Sequence, residues 1–308
     1  MILFLCIIVI LAAAFSAGLY AYTCLSLKAK RQIPGEYRLS GSMARYEAEY
    51  GETLKKLQAE PFEQVSTLSE DGLRLQARYY HLRDDAPFAI LMHGYRVNSF
   101  CDFLKGYFMM KDLGYNLLLI DERGCGLSEG NAISFGVMER RDCLCWVNYL
   151  KERFGQDIPV ALYGVSMGAA TVMMASGMED TPANIRAVIA DCGYTSPKDI
   201  IREVASSMKL PADLCYPFCR FGAKVLGGFD LNAASALEAV RKTKIPMLFI
   251  HGEKDDFVPF AMCGRLYTAC ASEKELLTVP EAVHANSILV DYETYASRVE
   301  AFLNKTVN

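Results

Sequence analysis

The stretch that most constrains this chain is Gly164-Val165-Ser166-Met167-Gly168, set between the apolar run Ile158 to Tyr163 and the small residues Ala169-Ala170-Thr171. An apolar run, a glycine-flanked serine and then small residues predict a buried strand that turns sharply into a helix. The serine at the apex of such a turn sits in a strained backbone conformation with its hydroxyl raised above the sheet, the arrangement of a nucleophile elbow. Glycine is needed two residues to either side, because side chains there would collide across the turn. With Gly and Ser each at about 7% of residues, a bare G-x-S-x-G arises by chance in roughly one chain in ten of this length. It is the flanking strand and helix patterns that give the pentapeptide its weight.

A serine hydroxyl is a poor nucleophile until a base takes its proton, and that base works best when a buried carboxylate fixes its tautomer. The chain has only four histidines, His81, His93, His251 and His284. Where an elbow serine is followed in chain order by acid and then histidine, the base lies well after Ser166, which leaves His251 and His284. His251 ends the apolar run that starts at Ile245 and reads as a packing or hydrogen-bonding residue. His284 follows the strand-like Lys274 to Val279 through a short loop and precedes a helical pattern, so it is the candidate base. The candidate acid is Asp255, in the loop just past a strand's carboxyl end, where ligand and catalytic groups gather in open α/β sheets. Asp256 and Glu253 are close competitors, and Asp191, ending Ala187 to Asp191, is a more distant one.

Apolar runs and turn signals predict strands near 62–69, 73–80, 88–93, 115–121, 158–164, 185–191, 245–251 and 275–279. Helices are expected near 101–112, 134–153, 167–178, 260–271 and 287–304. Strands alternating with helices predict an α/β domain with a mostly parallel, doubly wound sheet, and the first two strands, with no helix between them, an antiparallel edge. A length of 308 residues and 52% hydrophobic residues suffice for one large domain with insertions. About fifty residues separate the strand ending at Asp191 from the next, more than a crossover helix needs, so a small helical cap is expected at about 197–244.

These residues carry a resemblance to the α/β-hydrolase superfamily. His251-Gly-Glu-Lys-Asp255-Asp-Phe-Val258-Pro259 resembles that family's HG-x-x-D-x-x-VP acid loop, an alignment that favours Asp255 over its neighbours. Leu91-Met-His93-Gly94-Tyr95 resembles the HG-x turn of the oxyanion hole, and Asp121 to Gly130 resembles the D-x-R-G-x-G-x-S loop, with Cys125 where such loops often carry His. The Arg123 to Gly126 segment reads as a tight structural connection, so that departure bears little on catalysis. The resemblance spans roughly residue 60 to the C-terminus. It implies an α/β-hydrolase fold, a Ser166–His284–Asp255 triad, and an oxyanion hole made by the backbone N–H groups of Met167 and Tyr95. The activity it implies is that of a serine hydrolase cleaving carboxylic esters, esterase- or lipase-like, through an acyl-enzyme on Ser166. The alternatives are a serine peptidase of the prolyl-peptidase-like type and a noncatalytic binding protein that keeps the fold.

Residues 1–27 carry no charged side chain and are long enough to cross a bilayer as a helix. No Lys or Arg precedes the apolar run, as a cleavable signal peptide would have, and Ala-Tyr-Thr-Cys24 is a poor lipoprotein cleavage site, so an uncleaved transmembrane anchor is expected. Residues 28–58 read as a basic juxtamembrane stalk leading into an α/β-hydrolase domain at 59–308. Between 28 and 45, Lys28, Lys30, Arg31, Arg38 and Arg45 face the single acid Glu36, which by the positive-inside tendency places the domain of this single-pass chain on the cytoplasmic side of the membrane. Subtracting that local +4 from the chain's −4 leaves −8 on the rest, an acidic balance that argues against nucleic-acid binding.

Eleven cysteines, an odd number set mostly within apolar patterns, fit a reducing compartment better than a disulfide framework. Cys143-x-Cys145 and Cys215-x3-Cys219 lack neighbouring histidine or cysteine to complete four ligands, so neither a metal nor any other cofactor is expected. The expected partners are a small-molecule or lipid-like acyl substrate and the membrane holding the N-terminal helix. The apolar residues of the cap, Leu210, Tyr216, Phe218, Phe221, Val225, Leu226 and Phe229 among them, either pack it onto the domain or line an acyl pocket.

Overall fold

The computed structural model describes residues 2–27 and 45–307. Helix α1 (Ile2–Leu27) has 26 residues and, at about 1.5 Å per residue, is roughly 39 Å long. No residue of its window Leu3–Tyr20 is buried, and the window is apolar enough to cross a membrane. Thr23 and Leu27, near its end, are buried against the rest of the chain.

Of the segment read as a stalk, 28–44 lies outside the described residues, and much of the remainder is a helix that charge alone had obscured. This helix, α2 (Glu47–Ala59), buries Tyr50 and Leu57. Next come strands β1 (Glu63–Leu68), β2 (Arg74–Tyr80) and β3 (Phe88–Met92), helix α3 (Ser99–Asp112), β4 (Asn116–Asp121), α4 (Glu139–Phe154), β5 (Val160–Val165), α5 (Met167–Ser176) and β6 (Ile185–Asp191). The cap region then supplies α6 (Pro197–Ser207), α7 (Ala212–Gly222), a π-helical turn Ala223–Gly227 and the short α8 (Ala236–Val240). The chain closes with β7 (Met247–Gly252), α9 (Phe260–Ala269), β8 (Lys274–Val279), α10 (Ser287–Val290) and α11 (Tyr292–Thr306). The single helix expected over 287–304 is broken at Asp291, whose carboxylate turns back to accept the Thr294 N–H and so starts a new helix.

The eight strands lie in the order β1-β2-β4-β3-β5-β6-β7-β8. β2 pairs antiparallel with both β1 and β4, and every other pairing is parallel. The register sets Ile90 opposite Leu118 on one side and Leu162 on the other. β3, β4, β5 and β7 are buried along their whole length, which is why they read as unbroken apolar runs: helices cover a parallel sheet on both faces. One apolar layer joins α4, α5 and α9 to the sheet around Trp146 and Met173. The other joins α2, α3 and α11 around Phe103, Tyr163 and Phe302. This is an α/β-hydrolase architecture, and the carboxyl ends of its parallel strands lead into the segments bearing His93, Ser166, Asp255 and His284.

Candidate active site

Ser166 joins β5 to α5 with φ 54° and ψ −110°, a conformation that costs a non-glycine residue of order 1–3 kcal/mol. The glycines beside it have no room for a side chain. A Cβ on Gly164 would overlap the Gly168 carbonyl, and one on Gly168 would overlap the Met92 carbonyl on the neighbouring strand. The Ser166 N–H donates to the Asp191 carbonyl at 2.8 Å, and the Ser166 carbonyl accepts from Ala170 at 3.1 Å. The turn is thus pinned on both sides.

The loops after β7 and β8 bring two further groups to this apex. His284 Nε2 lies 2.8 Å from Ser166 Oγ, and His284 Nδ1 lies 2.8 Å from Asp255 Oδ2. With Nδ1–H donated to the carboxylate, Nε2 is left to accept the serine proton. Asp255 is oriented by its own loop, since Oδ1 accepts the N–H groups of Phe257 and Val258 at 3.0 and 2.8 Å. Burial alone would raise the Asp255 pKa, but hydrogen bonds from His251, His284 and Val258 outweigh it and hold the carboxyl below the usual range. The Phe257 ring packs 4.9 Å from the His284 ring and shields one side of it.

The remaining candidates fall elsewhere. His251 is buried, with Nε2 donating to the Val258 carbonyl at 2.8 Å and lying 3.3 Å from Asp255 Oδ2, so it braces Asp255 and its loop. Asp256 and Glu253 are exposed. Asp191 is buried in a different network, accepting from Tyr295 Oη at 2.9 Å, with Tyr163 Oη a further 2.6 Å beyond. Burial raises its pKa to about 6, against the opposing Tyr295 hydrogen bond.

The turn after β3 is held from beneath. His93 is fully buried, its Nδ1–H donating to the Gly94 carbonyl at 2.8 Å while Nε2 accepts the Glu122 N–H at 3.1 Å. Those two bonds define one neutral tautomer and fix the turn carrying Tyr95, whose ring stacks on Phe135 at 5.1 Å. Met167 occupies the first position of α5, where a helix leaves its N–H groups without intrahelical partners. Asp102, which no sequence pattern singled out, accepts the Gly94 N–H at 2.5 Å from the first turn of α3. Burial raises the Asp102 pKa against the pull of Gly94, His93 and His284. Its one sequence signal is the Asn98 cap, which accepts from Phe100 and Cys101 and so starts α3 at this position.

The Asp121 to Gly130 loop is structural. Arg123, buried, is clamped by Asp142 at 2.6 Å and by Asp71 at 2.9 Å, and a Cβ on Gly126 would overlap the Asp121 carboxylate. Cys125 is buried within it. Cys143, Cys145, Cys215 and Cys219 are all free thiols. Among the described residues, Cys192, Asp255 and His284 offer ligand atoms within 4.8 Å of one another. Two of these groups are already bonded to each other, and a metal there would have to displace the His284 proton that Asp255 accepts.

Two cavities meet at Ser166. The smaller, about 290 Å³, is lined by Asp102, Leu104, Ile288 and Leu289 with His284. The larger, about 520 Å³, lies under the cap and is mostly apolar, with Ile200, Val204, Leu210 and Cys215 from the cap facing Tyr95 and Phe135. Both volumes fall in the range of about 300–1,000 Å³ usual for small-molecule sites, or close to it. The cap thus lines a cavity with one side, packs on the domain through Tyr216 and Phe229, and leaves Leu214, Phe221, Val225 and Leu226 exposed.

The chain belongs to the α/β-hydrolase superfamily. Residues 89–221 match the family described as serine aminopeptidase, S33. The Bacillus subtilis protein YqkD is 30% identical over 228 residues, covering 73% of this chain and 74% of its own. The zebrafish (Danio rerio) lysophosphatidylserine lipase ABHD12 is 31% identical over 183 residues, covering 55% of this chain and 43% of its own. Among solved structures, the Pyrococcus furiosus esterase Pf2001 superposes with a TM-score of 0.64 at 23% identity, covering 82% of this chain and 96% of that one. The family, its fold and its hydrolase character therefore apply to this chain.

Proposed function

We propose that this chain is a membrane-anchored serine hydrolase that cleaves carboxylic esters through an acyl-enzyme on Ser166. Ser166 Oγ attacks the ester carbonyl carbon as His284 Nε2 takes its proton, and Asp255 stabilises the imidazolium that forms. The N–H groups of Met167 and Tyr95 receive the oxygen that becomes negative, a contribution of about 3 kcal/mol per donor in such sites. Collapse of the tetrahedral species breaks the bond to the alcohol, which leaves with the His284 proton. Water, deprotonated by the same imidazole, then releases the acid and restores Ser166.

The observation that carries this reading is the continuous 2.8 Å relay from Asp255 through His284 to Ser166, opening on an apolar cavity. That lining favours a hydrocarbon acyl group over a peptide, and the lipase name of the zebrafish relative points to the same class. Membrane attachment rests on the length and composition of α1, and the cytoplasmic placement of the domain on the basic residues between 28 and 45. Turnover across esters of graded acyl length, set against aminoacyl and prolyl amides, is the test. Hydrolysis of esters with a burst of released alcohol fits an acyl-enzyme, whereas preference for the amides would favour a peptidase. Protease protection of sealed vesicles tests the orientation, and cleavage of the large domain only from the non-cytoplasmic side would refute it.

A further inference from the structure

The end of α1 is built into the hydrolase domain. Thr23 and Leu27 are buried, Thr23 Oγ1 lies 3.8 Å from Cys219 Sγ on α7, and the Leu27 carbonyl accepts the Ile133 N–H at 2.9 Å. A Cβ on Gly222 of α7 would overlap Thr23, so the small residue there is what lets the two helices meet. The Leu27 side chain lines the larger cavity in company with Ser166. The last residue of α1 is therefore part of the lining of that cavity.

α7 has two apolar faces. Cys215 and Cys219 turn toward the cavity, while Leu214, Phe221 and then Val225 and Leu226 of the π-helical turn are exposed, between 46% and 59%. A cluster of large apolar side chains facing water is costly, and such patches mark contact with a partner or a membrane. Here the cluster adjoins α1: Ser16, Ala17 and Tyr20 form an apolar groove with Pro217, Phe218 and Phe221. Thr23, the contact on α7, lies three residues past the apolar window Leu3–Tyr20, about 4.5 Å along the helix axis. A helix seated there lies where the span leaves the hydrocarbon.

We infer that the outer face of α7 and its π-helical turn docks into the bilayer beside α1, so that the larger cavity takes the acyl chain of a membrane-resident lipid ester. The inference rests on the membrane-anchored ester hydrolase proposed above. Its occupant is the bilayer because the exposed stripe is continuous with the side chains of a helix long and apolar enough to cross one. α7 would then have one side on lipid and the other, through Cys215 and Cys219, on the cavity that reaches Ser166.

Docking can be read without reference to catalysis. The chain has one tryptophan, Trp146, which is fully buried. In full-length protein reconstituted in phosphatidylcholine vesicles, Phe221→Trp should be quenched by lipids brominated on the acyl chains, whereas Phe62→Trp, exposed at the far β1 edge, should not. Equal quenching at the two sites, or none at either, overturns the docking. Delivery is read separately with the triple variant F221E/V225E/L226E, none of which lines the cavity at Ser166. Its turnover of a vesicle-borne lauroyl ester should fall about tenfold or more, as apolar contact with the interface is lost, with hydrolysis of a soluble butyryl ester unchanged. Equal loss on both esters, or loss on neither, overturns delivery from the bilayer. Wild-type protein that cleaves neither ester while Phe221→Trp is still quenched would sink the ester hydrolase reading and leave the docking standing.

Discussion

Replacing Asp255 with Asn isolates what the carboxylate does, because the substitution keeps the shape of its surroundings. The amide oxygen can still accept the Phe257 and Val258 N–H groups, now 3.0 and 2.8 Å from Oδ1, and His251 keeps its 2.8 Å bond to the Val258 carbonyl. What changes is the atom 2.8 Å from His284 Nδ1, where an acceptor becomes an NH₂ donor. Nδ1 must then accept, the ring proton moves to Nε2, and Nε2 can no longer take the Ser166 proton. The equivalent tautomer error in a serine protease costs about 10⁴ in kcat, close to 5.5 kcal/mol of barrier. The assay is kcat on a soluble short-chain ester, with thermal melting as a control for folding. Asp256→Asn, at an exposed neighbour, should stay within about twofold of wild type, as surface substitutions usually leave stability and site intact. A loss below about tenfold in Asp255→Asn, or an equal loss in Asp256→Asn, would refute the tautomer argument. Acid titration adds an independent reading. Since the folded Asp255 carboxyl lies below its usual range, it contributes stability above about pH 4 that is lost as pH falls through the folded value, and the variant should lack that part of the acid-side slope.

Other substitutions probe the frame around the site. Gly168→Ala forces a methyl group into the Met92 carbonyl, backbone against backbone, and should cost about 3 kcal/mol or more and most of the activity. Gly51→Ala, in α2 with open space around it, should instead stabilise by about 0.5–1 kcal/mol, and thermal melts of the pair check both signs. Asp191, whose pKa burial raises to about 6, contributes stability that is fully present below about pH 4 and lost as pH rises through 6, by about 3 kcal/mol. Asp191→Asn keeps an acceptor for Tyr295 and should grow more stable relative to wild type across that window. A difference between the two proteins that stays constant from pH 4 to 7 would show that the buried carboxyl does not titrate there.

Legibility in the sequence followed the strength of the physical constraint. β3, β5 and β7 stand out because strands covered on both faces are built mostly of apolar residues, and Gly164 and Gly168 because their neighbours leave no space for a side chain. Ser166 and Asp255 each follow such a strand and His284 follows the partly buried edge strand β8, and in the structure His284 lies within hydrogen-bonding distance of both. α2 was hidden by its charges; its apolar side is only Tyr50, Leu54 and Leu57, spaced i, i+4 and i+7. Asp102 was silent because one carboxylate eight residues after Gly94 makes no pattern until α3 folds it back. The packing of Thr23 on the cap and the bond from Ile133 to Leu27 were equally silent, since a helix that is apolar all round gives no sign of which side a neighbour will cover.

The most direct test is to treat the full-length protein with a fluorophosphonate, which phosphonylates an activated serine, and to map the adduct by peptide mass spectrometry. Wild type should carry one adduct, on Ser166, with labelling abolished in Ser166→Ala and slowed by orders of magnitude in His284→Ala. An adduct on another serine, or undiminished labelling of Ser166→Ala, would contradict the assignment of Ser166 as the nucleophile.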